Sequence, residues 1–277
     1  MITGVKKEQQ EEIIDKVVKN CPTVYDSTER ILLIDSDSIL YTSTYFPEDG
    51  MIEFNSEEEY IEEVKFRIRN KIQEITNNVE EWFNIKNTLL FVGGKNNFRY
   101  KLFKNYKISR KDVIKSPYFP IATKYIIEEL GALESHNGEA DDWIIDCAKE
   151  CNGNCVISSL DKDVLYHAPN IPVYDYRNHD DVLGEFKYIT EKESRLARAS
   201  QILIGDSCDS VPGAKGIGKG YCEKHLHQDM TDYQFIKQIF IGYLKSNKGD
   251  AQKAKEEIRL YYKVLKLHTL EELKELI

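Results

Sequence analysis

The sequence predicts an α/β fold, a mostly parallel central sheet flanked by helices, followed by a helical C-terminal subdomain. Three observations carry this expectation. Short apolar runs alternate with longer stretches of helical periodicity, the pattern of strands joined by crossover helices. Two of those runs end in aspartate, where strands of open α/β sheets feed a shared ligand-binding rim. After Ser210 no strand-like run follows, and three helical stretches complete the chain.

Taken in order, Ile13, Ile14, Val17 and Val18 give residues 7–19 an apolar stripe, so residues 1–26 are expected to form an N-terminal helical extension. ILLID at 31–35 reads as a buried strand, 57–84 as a long helix and TLLFV at 88–92 as a second strand. Helical patterns at 121–131 and 139–150 precede NCVISSLD at 154–161 and PVYDY at 172–176, the third and fourth strands. Helices follow at about 219–227, 231–246 and 250–265. The α/β core is thus expected over 27–205 and the helical part over 206–277. A closing helical stretch with Leu265, Leu267, Leu270, Leu273 and Leu276 is expected to dock on the core, with contact to a replication protein as the alternative.

A chain of 277 residues with 41% hydrophobic and 31% charged residues can bury a sizeable core. No window approaches the roughly 18 uncharged apolar residues of a membrane span, and MITGVKKEQQEE lacks a signal-peptide core. An intracellular, cytoplasmic protein without a membrane partner is expected. The six cysteines read as free thiols, because a modest Cys density without a secretion signal argues against disulfides, and Cys147, Cys151 and Cys155 lack the CxxC or paired His that a zinc site needs.

The net charge of −9 hides a strong segregation. Residues 48–63 carry Glu48, Asp49, Glu53, Glu57, Glu58, Glu59, Glu62 and Glu63 with no base, most simply a solvated helix face. Residues 95–115 carry Lys95, Arg99, Lys101, Lys104, Lys107, Arg110, Lys111 and Lys115 against Asp112 alone. Phe98, Tyr100, Phe103 and Tyr106 are interleaved there, a pattern suited to phosphate contact and base stacking.

The acids at strand ends suggest the chemistry. Asp35 and Asp161 close apolar runs, Asp37 and Asp163 follow each by two residues, and Asp206 and Asp209 follow ILIG. Glu139, Asp141 and Asp142 open the helix of GEADDWIIDCAKE, which taken alone is ordinary helix-dipole chemistry. Gathered on one rim, these carboxylates would repel without hard cations, and two such ions can serve an in-line phosphoryl displacement. The run GDSCDSVPGAKGIGKG at 205–220 joins Asp206 and Asp209 to glycines able to bring backbone N–H groups close to phosphate.

Part of this pattern resembles haloacid-dehalogenase-type phosphatases. In that alternative Asp35 is the nucleophile, Asp37 the acid/base and Ser158 or Ser159 a phosphate ligand. It leaves GEADD, the doublet Asp161/Asp163, the basic segment and everything from Pro212 to Gly220 unused.

Those features together resemble the flap-endonuclease and 5′–3′ exonuclease family, particularly its phage members, some also described as ribonuclease H for removing RNA primers. The likeness runs from about Ile31 to Lys224. GEADD resembles the family's second acidic motif, SSLDKD at 158–163 its third, and 205–220 its fourth together with a helix–three-turn–helix; YKISR at 106–110 resembles its Tyr-Lys-x-x-Arg element. The resemblance implies a PIN-like 5′-nuclease core, two Mg2+ ions (Mn2+ substituting) and cleavage to a 5′-phosphate and a 3′-hydroxyl. Metal ligands would be Asp35, Glu139 and Asp141 for one ion, with Asp161, Asp163 and Asp206 nearer the other, and Asp142 and Asp209 in the set. Lys107 and Arg110 would touch the scissile phosphate and Tyr106 would stack on a base. The basic segment, about 95–124 and including Arg99, would form an arch over a single-stranded 5′ end. Gly213, Lys215, Gly216, Gly218 and Lys219 would grip duplex phosphates, with K+ bound at that loop. The implied partner is DNA or RNA–DNA with a 5′ end or flap, met by a monomer.

The chain departs from this pattern twice. The family's acid at the end of the second strand falls on Val92, and Asp37, on the same side as Asp35, is expected to stand in for it. Lys219 lies one position earlier than the family's lysine after GIGx, leaving Lys219 or Lys224 to reach phosphate. If the missing acid abolished cleavage, a structure-specific DNA-binding protein would remain.

Overall fold

The computed structural model describes residues 29–46, 54–179 and 182–276. β1 (Arg30–Asp35), β2 (Ile85–Lys95), β3 (Leu133–His136), β4 (Cys155–Ser158), β5 (Val173–His179) and β6 (Val182–Lys187) form one sheet in the order β3-β2-β1-β4-β5-β6. Neighbours from β3 through β5 pair in parallel, and β6 returns antiparallel to β5. The expected mostly parallel sheet is present. Its register brings carboxyl ends together: Asp35 pairs with Phe91 of β2, and Ile34 with Ser158 of β4.

Helices α1 (Asp37–Ser43), α2 (Glu57–Glu80), α3 (Phe98–Leu102) and α4 (Phe119–Glu128) join the first three strands, and α5 (Ala140–Glu150) and α6 (Lys162–His167) flank β4. β1 is apolar from Ile31 to Ile34, as a strand covered on both sheet faces is. Leu32 and Ile34 pack with Ile39 and Leu40 of α1, Val64, Ile68, Ile75 and Val79 of α2, and Tyr125 and Ile126 of α4. Leu33 joins Ile144 and Ile145 of α5 and Val164 of α6 on the opposite face. Each such fully buried side chain contributes roughly 1.5–3 kcal/mol. On α2 the buried positions recur at helical spacing, Ser56 caps the first turn by accepting the Glu59 N–H, and Glu57, Glu58 and Glu59 face solvent as expected.

Beyond the sheet follow α7 (Glu191–Ile204), α8 (Lys219–His225), α9 (Asp232–Ser246), α10 (Ala251–Leu265) and α11 (Leu270–Leu276). A helical C-terminal part is present, and Phe235, Ile239, Tyr243 and Val264 are buried there in one core with Leu203 of α7 and Tyr106, residues within the 27–205 expected for the α/β core. The final leucines dock: Leu267 and Leu273 are buried, and the Leu270 N–H donates to Asp146 of α5 at 3.0 Å. Cys147, Cys151, Cys155, Cys208 and Cys222 are free thiols. Among the described residues no helix is long and apolar enough to cross a membrane. The expected extension at 1–26, its stripe at 7–19 and the acids at 48–53 lie outside the described residues.

Candidate active site

The carboxylates collect along the carboxyl rim of the sheet. Asp35 ends β1; one of its oxygens accepts the Asp37 N–H at 3.1 Å and the other the Ser159 hydroxyl at 3.2 Å. Asp37 opens α1 and accepts the Gly93 N–H at 2.9 Å. A Cβ at Gly93 would lie 2.7 Å from the second Asp37 oxygen, so a glycine there lets the α1 carboxylate sit over the end of β2, beside Val92. Glu139 caps α5, with Asp141 in its first turn. Asp161 caps α6 and accepts the Asp163 N–H at 2.8 Å. Asp206, in a β-bridge with Val211, accepts the Cys208 N–H at 2.8 Å and the Lys162 ammonium at 2.6 Å.

Crowding leaves its mark on titration. Burial, then the charge of Asp37, pushes Asp35 up to about 7. Burial, then the charges of Asp161 and Asp206, pushes Asp163 up to about 7. Asp141 is raised well above the carboxylate range by desolvation and by Asp35 and Asp161. Burial alone would raise Asp206, yet the bonds from Lys162 and Gln201 hold it below its ordinary value.

The YKISR element supplies the facing cations. Lys107 adopts the left-handed conformation (φ 51°), uncommon for a non-glycine residue, and is fixed by donating its N–H to the Asp209 carbonyl at 3.0 Å. Its ammonium pairs with Glu139 and lies 3.8 Å from Asp209, while the exposed Arg110 guanidinium lies 3.9 Å from Asp209. Burial would lower the Lys107 ammonium, but the charges of Glu139 and Asp209 hold it raised.

Four expected site residues stand elsewhere. Asp142 points away from the rim: it is fully buried, bonded by both oxygens to Arg99 at 2.6 and 2.9 Å, and accepts the Glu139 and His268 N–H groups. Arg99 is therefore 1% exposed and not a DNA contact; its remaining bonds go to the Val264 and Lys266 carbonyls. Tyr106 is 2% exposed, with its hydroxyl between Glu139 and Asp209 at 3.1 and 3.2 Å, so it braces the carboxylates and cannot stack on a base. Gly213 is buried against the chain: a Cβ there would lie 2.3 Å from the Ile204 carbonyl carbon, so its φ of +65° serves a tight packing of the loop onto α7. Lys215, Gly216, Gly218 and Lys219 of the same loop are exposed, and nothing lies within 4 Å of a Cβ built on Gly216 or Gly218. The Ser158 hydroxyl, a phosphate ligand in the phosphatase alternative, is sealed inside the protein without a partner.

Several contacts were not expected from the sequence. Asn97 donates to Glu139 at 3.0 Å, Lys162 pairs with Asp206, and Gln201 touches two carboxylates. Lys162 sat in view inside SSLDKD, whereas Gln201 reads as one polar position on a mixed helix. A hard divalent cation fits this donor set, which is all oxygen and carries charge that the fold itself strains to hold. Among the described residues no three carboxylate, His or Cys side chains are grouped closely enough to hold a metal ion, and Asp35, Asp37 and Asp206 each turn to a neighbouring hydroxyl, N–H or ammonium.

No family model matches the chain. The chain is 30% identical over 204 residues to the 5′-3′ exonuclease of Buchnera aphidicola subsp. Schizaphis graminum, covering 70% of this chain and 68% of that protein. It is 33% identical over 135 residues to the flap endonuclease Xni of Pseudoalteromonas translucida, covering 45% of this chain and 52% of that protein. Among solved structures, bacteriophage T5 D15 protein with metal ions superposes with a TM-score of 0.55 at 14% identity, covering 85% of this chain and 90% of that one. At that identity the superposition speaks for the fold.

Proposed function

The chain belongs to the 5′–3′ exonuclease and flap endonuclease family, and we propose that it is a divalent-metal-dependent, structure-specific 5′ nuclease. The observation that carries the reading is the rim itself: Asp35, Asp141 and Asp163 are held above the carboxylate range by burial and by neighbouring carboxylates, Asp161 among them in each case, with Lys107 and Arg110 beside Asp209. Perturbed carboxylates clustered at strand ends mark a site built for chemistry more than for stability.

In this reading Asp35, Glu139 and Asp141 hold one Mg2+ or Mn2+ ion, and Asp161, Asp163 and Asp206 hold the other. Asp37 takes the place that Val92 leaves without an acid, and Asp209 sits between the second group and Lys107. Bound by these residues, such ions would supply Lewis-acid stabilisation for hydrolysis of a phosphodiester. Lys107 and Arg110 add positive charge where the scissile phosphate gains negative charge. Tyr106 and Asn97 keep Glu139 aimed at the rim by hydrogen bonds.

The exposed lysines 101, 104, 111 and 115 provide phosphate contacts for a single-stranded 5′ end. The loop carrying Lys215, Gly216, Gly218 and Lys219, set between α7 and α8 as a helix–three-turn–helix, grips the duplex without reading sequence and offers a place for K+. The products are a 5′-phosphate and a 3′-hydroxyl, RNA primers count among the substrates, and a monomer in the cytoplasm suffices. The nuclease core spans 27–205.

A 5′-labelled flap DNA and an RNA–DNA hybrid with Mg2+ test this reading beside a small phosphomonoester. Cleavage of the nucleic acids with the monoester left intact is expected. Fast turnover of the monoester alone would favour an aspartyl-phosphate enzyme, and flap binding without cleavage would favour a DNA-binding protein.

A further inference from the structure

Gln201 has no part in the reading above, yet it lies between two of its carboxylates. Its amide nitrogen donates to one oxygen of Asp163 at 2.7 Å and to one oxygen of Asp206 at 3.1 Å, and the residue is 7% exposed. An amide NH2 carries two hydrogens, so these bonds use both. The two acids come from different parts of the fold, Asp163 from the first turn of α6 and Asp206 from the loop after α7. We propose that Gln201 is a positioning residue for the second metal subsite, holding Asp163 and Asp206 in the mutual arrangement that lets both face one ion.

The inference rests on the nuclease reading, and the chemistry of the amide supports it. A lysine at this place would neutralise the charge that a cation needs. A glutamate would add a like charge in a nearly buried position, and leucine would take from Asp163 and Asp206 the one donor they share. A neutral donor aligns both acids and leaves their charge available. Lys162 differs in each respect: it is charged, its side chain is 49% exposed, and it bonds Asp206 alone of the two. An arriving cation can displace that half-exposed ammonium, whereas Gln201 is anchored on α7 and can keep both bonds while an ion is held. The bond to Asp163 uses a single oxygen, and the other remains outside the contact.

The experiment compares wild type with Q201L and Q201N, which removes the donor or shortens its reach by one methylene. Mn2+ is titrated calorimetrically into each protein without DNA, and kcat and KM for a flap are measured across a Mg2+ series. Removing the outer partner of a metal-ligating side chain weakens metal affinity about 10–100-fold. A loss of that size is expected in Q201L and a smaller one in Q201N, with KM for DNA unchanged and kcat partly recovered at high Mg2+. A role in stability alone would lower the melting temperature and leave metal affinity as it was, and that result in either folded variant overturns the inference. If wild type cuts the flap and binds Mn2+ while both variants bind it equally well, Gln201's role fails and the nuclease reading stands. If wild type does neither, both fail together.

Discussion

At the scale of single residues, Arg99 and Asp142 show that a charge in a suggestive motif can be turned inward. Their side chains are 1% and 0% exposed, and the bidentate pair ties α3 and α5 to the end of α10 through the Val264 carbonyl and to the segment after it through the Lys266 carbonyl and the His268 N–H. Breaking one partner leaves a buried charge uncompensated, so Asp142→Ala is expected to cost about 3–5 kcal/mol in urea unfolding. Arg99→Lys is expected to leave the salt dependence of DNA binding unchanged, since the side chain reaches no phosphate. Asp37 is the opposite case: Asp37→Asn is expected to raise the Mg2+ concentration for half-maximal cleavage by about tenfold, and an unchanged metal profile would exclude it as the substitute for an acid at Val92. Sequence placed Asp35, Asp161 and Asp163 by their strand ends, and Asp206 by the apolar run ILIG before it, which the fold makes the end of α7. It could not separate Asp141 from Asp142, because adjacent positions in a helical turn face about 100° apart and only the packed partner decides which one turns inward.

At the scale of elements, the rim stores electrostatic strain that pH should expose. Asp35 and Asp163 sit at about 7 against an ordinary 3.8, so the folded, metal-free protein binds more protons than the unfolded chain between those values. Their stabilising contribution is full at low pH and is lost as pH rises through 7. His167, which burial holds down to about 4, acts in the opposite sense between there and its ordinary 6.5, so the loss is steepest from about pH 6.5 to 7 and levels off above that. The metal-free melting temperature is expected to fall over that window and Mg2+ to restore it; a flat profile would show that the carboxylates do not crowd. The loop before α8 makes a separate prediction: Lys219→Ala, altering a side chain that is 86% exposed, should weaken binding to all duplexes alike and reduce the salt slope by about 1. The loop's glycines were legible as a group, but their division of labour was not. Gly213 serves packing and Gly216 lies open, a difference set by α7 behind them.

At the scale of the whole molecule, alternation of apolar runs with helical stretches was enough to read the parallel sheet, because strands buried on both faces leave continuous apolar runs. β3 and β6 escaped that reading: LESH is four residues with one buried position, and VLGEFK pairs only at the antiparallel edge. α7 escaped too, although Thr190 and Glu193 form a capping box that marks its start. What the sheet achieves is convergence, since Asp35, Asp161 and the acids that follow them meet on one rim with the Lys107 loop beside it. The most direct test compares wild type with Asp161→Asn on a 5′-labelled flap in Mg2+. Asparagine caps a helix as well as aspartate, so α6 keeps its start while the rim loses one charge. The account predicts cleavage by wild type, and in the variant unchanged flap binding with cleavage slower by about a hundredfold or more; absence of cleavage by wild type with any divalent metal would contradict it.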